Sequence, residues 1–180
     1  MRAILPAIAL LAMIILIFPG RGAFAAGEVG QPAPALVVQE LTGQTFDLSA
    51  QRGKVVMINF WATWCAPCRA EMPALDAFYR QYHGNGLEMI GLSADSSHDK
   101  SDVRKVMQSF NYPAAMLNDA DPNGFGDPDQ IPETFVVDRA GVVQAVFTPD
   151  KAPVTAQSLA SVVLPLLRKG GEAAAPSATR

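Results

Sequence analysis

The chain carries two cysteines, Cys65 and Cys68, separated by two residues and placed shortly after the apolar run 55–61. This run is interrupted only by Asn59, and such a stretch is typical of a central strand that is buried on both faces of a parallel sheet. The residues that follow have apolar positions at helical spacing, which predicts a helix over 66–83. The sequence therefore places a Cys-x-x-Cys motif between a buried strand and the first turn of a helix.

The position of the motif favours thiol-disulfide exchange. This reaction needs a thiolate, an ordinary thiol has a pKa of about 8.5, and the unpaired N–H groups and dipole of a helix start stabilise negative charge. Cys65 is therefore assigned as the exposed attacking sulfur, and Cys68 as the buried thiol that resolves a mixed disulfide. Ala66 and Pro67 stiffen the loop between them. Because proline lacks an N–H that would stabilise a thiolate, they weakly favour a reducing couple.

Other uses of the cysteine pair fit the sequence less well. A structural disulfide across so short a loop would contribute only about 2 kcal/mol. A zinc site needs four ligands, and the two histidines, His83 and His98, stand far from the cysteines without finger-like spacing. We therefore predict no metal site at the motif. A copper(I) carrier that uses the two soft thiolates stays open as an alternative.

The acidic segment 118–130 partly follows the ligand positions of a calcium loop. The matching residues are Asp119, Asp121, Asn123, Gly124, Asp127 and Gln130. Gln130 stands where a calcium loop has a bidentate glutamate, two prolines interrupt the segment, and flanking helices are not evident. A plain acidic, turn-rich loop is the preferred interpretation, and calcium binding at 119–130 is a hypothesis.

The N-terminal segment is typical of a protein that is exported from the cytosol. Arg2 is followed by an apolar run at 3–18 and by small residues around Ala25, which predicts a secretory signal cut after Ala25. The run is about as long as the shortest membrane span, so an uncleaved N-terminal membrane anchor is the alternative. We expect a periplasmic protein, either soluble or anchored to the inner membrane. The formal charge of −3 and the lack of a Lys/Arg cluster argue against a nucleic-acid partner.

The remaining pattern predicts one α/β domain over 26–169, preceded by the signal or anchor at 1–25 and followed by a small, polar, disordered tail at 170–180. Strands are predicted at 36–38, 45–48, 55–61, 87–92, 114–117, 134–137 and 142–147, and helices at 66–83, 101–110 and 155–167. Strands that alternate with helices and end in a hairpin predict a central mixed β-sheet flanked by helices on both faces.

Four stretches of the chain are distinctive in combination. They are FWATWCAPC at 60–68, its continuation CRAEMP to position 73, GQPAP at 30–34 and IPETF at 131–135. Together they resemble the TlpA/ResA-like family of exported thiol-disulfide oxidoreductases, over residues 28–168. The resemblance implies a thioredoxin fold with extra N-terminal strands and an αβ insertion. It also implies that the attacking and resolving roles fall on Cys65 and Cys68.

Glu71 is a candidate proton acceptor for Cys68. It lies three residues beyond Cys68 on the same helix face, and members of the resembled family carry a functional glutamate at this position. Thioredoxin has a buried aspartate in the strand before its motif, where this chain has Asn59, and asparagine cannot take a proton at working pH. The alternative is a glutamate that the helix dipole favours at the N-terminal turn.

Ile131 and Pro132 are predicted to form a cis peptide bond opposite the cysteines. This prediction rests on the resemblance, because thioredoxin-fold proteins place a cis-proline there, whereas few X-Pro bonds are cis in general. A proline without an N–H leaves the preceding backbone free to bind an extended partner chain. Glu133 either lies near the thiols, where it would raise their pKa values and favour basic partners, or is a surface glutamate. The candidate partner-binding residues are Trp64, Ala66, Pro67, Ile131 and Glu133.

The resulting prediction is an exported enzyme that reduces disulfides in other exported proteins and needs no dissociable cofactor. The resemblance implies cytochrome c maturation, with apocytochrome c as a partner, or metal-site assembly. A membrane electron donor would re-reduce the enzyme, since the periplasm offers no reducing buffer. A disulfide-forming oxidase, a peroxidase and the copper(I) carrier are the alternatives. The peroxidase alternative would require a Pro-x-x-x-Thr-x-x stretch before the reactive cysteine, and this chain lacks it.

Overall fold

A computed structural model of the protein describes residues 27–172. The elements follow in chain order as β1 (Leu36–Glu40), β2 (Thr45–Asp47), β3 (Val55–Trp61), α1 (Ala66–Tyr82), β4 (Leu87–Ser93), α2 (Lys100–Met107), β5 (Ala114–Asn123), β6 (Glu133–Val137), β7 (Val143–Phe147) and α3 (Ala156–Glu172). The predicted signal or anchor at 1–25 lies outside the described residues. Within 27–172, no helix is long and apolar enough to cross a bilayer.

The strands form one mixed sheet in the order β2-β1-β5-β4-β3-β6-β7. β3 lies inside the sheet, parallel to β4 and antiparallel to β6, and all seven of its residues are buried. This confirms the central strand that the continuous apolar run predicts. β4 pairs with β5 in parallel, and the β6–β7 hairpin closes the sheet at one edge. The topology agrees with the predicted thioredoxin fold, and β1 and β2 are its extra N-terminal strands.

The two faces of β3 enter two different apolar cores. Because alternate residues of a strand point to opposite faces, Met57 and Trp61 pack in the core to which α1, α2 and α3 all contribute. Ile58 and Phe60 pack on the other side in a core made of strand and loop residues. The prediction of α-helices on both faces is therefore wrong. β3, β4 and β5 advance across the sheet in one direction, so right-handed crossovers put α1 and α2 on the same face.

Two predicted boundaries change, and for one of them a distant segment gives the reason. β5 continues to Asn123, well past the predicted end at 117, since β1 pairs with it in antiparallel register as far as Asn123. The segment 118–123 is therefore strand rather than loop. α3 runs to Glu172, so the predicted tail at 170–180 begins within a helix, and 173–180 lie outside the described residues. The domain limits of 26 and 169 stay predictions.

Candidate active site

The cysteine motif lies where β3 passes into α1. Cys65 is the N-cap of α1, and its Sγ accepts a hydrogen bond of 3.2 Å from the backbone N–H of Cys68. Pro67 occupies the first turn of the helix, where its missing N–H leaves no intrahelical bond unmade. At most helix N-termini, a side-chain oxygen of the N-cap residue accepts a hydrogen bond from a backbone N–H of the first turn. Here the sulfur of Cys65 takes that position.

The two sulfurs are joined in a disulfide, and the Cα atoms are 5.3 Å apart. Cys65 is 5% exposed and Cys68 is 2% exposed. The expectation of an exposed Cys65 is therefore wrong for this disulfide form, because both sulfurs are almost covered. Trp64, by contrast, is 71% exposed, and Ala66 and Pro67 are also on the surface. These three residues are therefore the exposed neighbours of Cys65 in the chain.

Ile131 and Pro132 are joined by a cis peptide bond, as predicted. They stand directly before β6, whose first residue, Glu133, is in register with Phe60 near the end of β3. Residues 62–65, which connect β3 to α1, are called the cysteine loop below. The start of β6 and this loop therefore lie at the same edge of the sheet. Pro132 is buried, whereas Ile131 is half-buried and lines a surface groove together with Trp64.

Two adjoining grooves flank the segment 127–130 at this edge. The first has a volume of about 540 Å³, and Trp64 and Ile131 are among its lining residues. The second has a volume of about 390 Å³, and Glu28, Glu133 and Lys151 are among its lining residues. The charged lining residues of the two grooves together are Glu28, Asp127, Asp129, Glu133 and Lys151. Four carboxylates against one ammonium make the paired grooves acidic.

Glu71 lies in the second turn of α1 and is half-buried. Burial raises the pKa of its carboxyl above the ordinary value, and a 3.3 Å hydrogen bond from the Val154 N–H to Oε1 opposes that shift without cancelling it. A carboxyl that holds its proton to higher pH is better matched to a thiol than an ordinary glutamate is. The environment of Glu71 thus suits a proton acceptor.

Glu133 is a second half-buried carboxyl at this edge. Burial and then the charge of Asp129 raise the pKa of Glu133, against the opposing charge of Lys151. The next residue of β6, Thr134, pairs with Asn59 of β3. The Asn59 side-chain N–H donates a hydrogen bond of 2.9 Å to the Thr134 hydroxyl. Asn59 is buried and carries no acidic group, so the acidic residues around the motif are Glu71, Glu133, Asp95 and the groove carboxylates.

The calcium hypothesis for 119–130 is contradicted by the course of the chain. Asp119, Asp121 and Asn123 lie on the extended strand β5, which separates the first and last of them by about 13 Å, whereas a calcium loop curls these positions around one ion. Asp119 forms an ion pair of 2.7 Å with Lys100. Across residues 27–172, no three His, Cys, Asp or Glu side chains cluster as metal ligands would.

The described domain matches the model of the AhpC/TSA family over residues 29–146. The thiol-disulfide oxidoreductase ResA of Bacillus cereus is 34% identical over 118 residues, which are 64% of this chain and 67% of the relative. The chain belongs to the AhpC/TSA family, as a ResA-type thiol-disulfide oxidoreductase. This confirms the resemblance that its motifs predict.

Two solved structures are similar to this member of the family. A thiol:disulfide interchange protein of the thioredoxin family from Chlorobium tepidum TLS superposes with a TM-score of 0.64 at 27% identity, covering 76% of this chain and 96% of the other. A secreted thiol-disulfide isomerase from Corynebacterium glutamicum gives 0.61 at 27% identity, covering 75% and 84%. The fold and the enzyme class of the chain therefore agree with its family.

Sequence reasoning missed two parts of this edge of the sheet. Asp95, just beyond β4, is buried and bonded to Thr63 of the cysteine loop. The signal was available, because an acidic residue directly after a buried parallel strand lies at the end of the sheet where sites are built. The two grooves left no such signal, since they form only when 127–131 folds against Trp64 and β7.

Proposed function

We propose that this ResA-type oxidoreductase is exported and reduces disulfides in periplasmic partner proteins. The observation that carries the proposal is the Cys65–Cys68 bridge at the N-terminus of α1, beside grooves lined by carboxylates. The signal or anchor interpretation of residues 1–25 supports export, as does the secreted isomerase with a similar fold. The enzyme is either free in the periplasm or held at the inner membrane by its N-terminus.

In the proposed reaction, the Cys65 thiolate attacks a disulfide of the partner. A bond forms between the Cys65 sulfur and one partner sulfur, while the other partner sulfur leaves as a thiolate and takes up a proton. Glu71 removes the proton of Cys68, whose sulfur then attacks Cys65 and releases the second partner thiol. The partner gains two electrons and two protons, and the Cys65–Cys68 disulfide is restored. A membrane electron donor would return the pair to the dithiol.

The acidic surroundings support the reducing direction. A disulfide is strongly oxidising when its reduced form is stabilised as a thiolate, and nearby carboxylates have the opposite effect because they repel that charge. Glu71 follows Cys68 by three residues, and Glu133 begins the strand beside β3. Pro67 withholds a backbone N–H from the helix start. Equilibration with glutathione is expected to place the couple nearer to about −270 mV than to about −120 mV, and the latter value would indicate an oxidase.

The surface around the cysteines indicates the kind of partner. Trp64, Ala66 and Pro67 form the exposed approach to Cys65, and Ile131 lines the groove beside them. The carboxylates of the paired grooves favour a chain with basic residues near its cysteines. Pro132 supports this surface by leaving the backbone of Ile131 free to pair with an extended segment. Cytochrome c maturation, with apocytochrome c as partner, and metal-site assembly are the contexts that the family resemblance implies.

Trapping with Cys68→Ala tests the partner class. Without the resolving thiol, mixed disulfides should accumulate on Cys65, and mass spectrometry should identify exported proteins whose trapped cysteines are flanked by basic residues. The matched control is Cys65→Ala, which keeps the other thiol and should trap none of them. Capture of the same proteins by Cys65→Ala would contradict the assignment of the two sulfurs, and capture of acidic partners would contradict the role of the grooves.

Glu71→Gln is expected to change the pH dependence of the reaction while preserving the fold. The introduced glutamine would still accept from the Val154 N–H, but it cannot take a proton, so resolution by Cys68 should lose its dependence on Glu71 ionisation. Stopped-flow resolution of a preformed mixed disulfide across the range from about pH 4 to about pH 9 would measure this. A profile identical to that of the wild type would remove Glu71 from the mechanism.

The stability of the same variant gives an independent check on Glu71. Because the folded-state pKa is raised above the ordinary value of 4.5, the contribution of Glu71 to stability is present below that pH and is lost as pH rises through the raised pKa. Glu71→Gln lacks this loss. Denaturant unfolding should therefore show the variant at least as stable as the wild type at neutral pH, and a clear loss of stability there would indicate a structural role.

A further inference from the structure

Asp95 is a buried carboxylate that the proposed reaction does not use. It lies two residues beyond β4, and it is 1% exposed. Its two oxygens accept hydrogen bonds from the Thr63 N–H at 2.8 Å, the Thr63 hydroxyl at 2.5 Å and the Ser93 hydroxyl at 2.6 Å. The ion pairs within 27–172 do not include it. A buried carboxylate is costly unless donors satisfy it, and two of these three donors belong to one residue of the cysteine loop.

Thr63 is held at both ends of its backbone. Its N–H and hydroxyl bind Asp95, while its carbonyl oxygen accepts from the Arg69 guanidinium of α1 at 3.5 Å. Trp64 and Cys65 follow it directly in the chain. Thr63 thus connects the end of β4 to the first turn of α1. The exposed Trp64 lies between two fixed residues, Thr63 and the helix N-cap Cys65.

Asp95 also contacts the wall of the first groove. Its neighbour Ala94 lines that groove, and the Ala94 N–H donates to the Trp61 carbonyl at 2.8 Å. The side-chain N–H of Asn118, another lining residue, donates to the Asp95 carbonyl at 3.5 Å. These two contacts use backbone atoms of residues 94 and 95, so among these lining residues only Trp64 is linked to the Asp95 carboxylate, through Thr63.

We propose that Asp95 is a positioning residue that acts through Thr63 to hold Trp64, one part of the first groove's wall, in the position that binds the partner chain. It touches neither sulfur in the hydrogen-bond network and has no chemical step of its own. Its loss should weaken binding of a polypeptide disulfide and leave attack on a small disulfide unaffected. The inference rests on the proposed function in one respect, namely that the groove binds the partner.

Thr63→Val and Thr63→Ser form the matched pair that tests this role. Valine keeps the shape and the N–H bond to Asp95 but removes the hydroxyl, whereas serine keeps the hydroxyl. With a lysine-flanked peptide that contains one internal disulfide, Thr63→Val should raise KM by up to about tenfold, with little change in kcat. The loop must then be ordered when the peptide binds, and the strength of the lost hydrogen bond to a charged group sets the upper limit of that cost. Thr63→Ser should remain within about twofold of the wild type. The rate with 5,5′-dithiobis(2-nitrobenzoate) should be the same for all three proteins.

Asp95→Asn completes a double-mutant cycle with Thr63→Val. If Asp95 acts through Thr63, the two effects on KM are not additive, and the double variant is no worse than the more severe single variant. Additive effects would overturn the proposal. An equal fall in rate with both disulfides, or no change with either, would also overturn it.

A measurement without substrate separates this inference from the proposed function. The ¹⁵N heteronuclear NOE of the Trp64 backbone amide should fall in Thr63→Val and be restored in Thr63→Ser, because the loop loses one of its attachments. That of Cys65 should stay, because Cys65 is fixed as the N-cap of α1. An unchanged NOE in Thr63→Val would overturn the positioning role. A normal loss of NOE, together with a wild type that does not reduce the peptide, would instead contradict the proposed function alone.

Discussion

Replacing Cys65 by serine should abolish turnover, whereas replacing Cys68 by serine should stop the reaction after its first step. A serine hydroxyl is not ionised at neutral pH and does not displace a thiolate from a disulfide, so the Cys65→Ser enzyme should react no faster than free solution chemistry allows. The Cys68→Ser enzyme retains the attacking sulfur at the helix N-cap. It should form a stable mixed disulfide and release one equivalent of the leaving thiol.

Stopped-flow release of thionitrobenzoate from 5,5′-dithiobis(2-nitrobenzoate) measures both variants. The reduced Cys68→Ser protein should show a rapid burst, because the Cys65 sulfur is the N-cap that accepts a hydrogen bond from the helix start. The reduced Cys65→Ser protein should react slowly, because the Cys68 sulfur lacks that position. The double variant provides the baseline. A faster reaction of Cys65→Ser than of Cys68→Ser would exchange the two roles and would contradict the proposed mechanism.

Phe60→Ala should give one of the largest losses of stability that we expect from a single substitution other than at the two cysteines. Phe60 is 1% exposed, and its ring lies 5.9 Å from that of Phe135 and 6.2 Å from that of Phe125, measured between centroids. Truncation leaves a cavity that the strands around β3 cannot close, so the free energy of unfolding should fall by about 3–5 kcal/mol. Denaturant unfolding of the disulfide form would measure the change.

Phe125→Ala is the matched control for this prediction. It removes the same side chain from the same aromatic cluster, but Phe125 is half-buried, so a smaller part of its surface is transferred from water on folding. Its cost should be clearly below that of Phe60→Ala. Equal costs would show that the packing of the cluster, rather than the burial of each ring, decides the loss of stability.

Several parts of the site could be predicted because their causes are local. The strand β3, the start of α1 and the disulfide between Cys65 and Cys68 follow from an apolar run and a two-residue spacing. The cis bond before Pro132 is not local in this sense, since few X-Pro bonds are cis. It was predicted correctly because four motifs together indicated a family in which that bond lies opposite the cysteines.

Other features depend on segments that are distant in sequence. β5 is longer than its apolar pattern because β1 supplies a pairing partner, and the acidic residues at 119–123 are therefore spread along a strand instead of curled around an ion. α1 and α2 share a face because β3, β4 and β5 advance in one direction. Neither result follows from residue spacing. The spacing shows which side of a helix or strand is apolar, but it does not show which other element packs or pairs with it.

By itself, the sequence determined the chemistry of the molecule: two thiols at a helix start, a glutamate three residues further on, and asparagine in place of the acid in the preceding strand. Only the tertiary structure decided how a partner can reach that chemistry. It covered both sulfurs, left Trp64 exposed beside an acidic groove, and tied the cysteine loop to Asp95. The physical reason is that the reactivity of the thiols depends on the N-terminus of a single helix, which a local stretch of sequence forms. A groove and a buried hydrogen-bond network instead require chain segments that meet only when the sheet has formed.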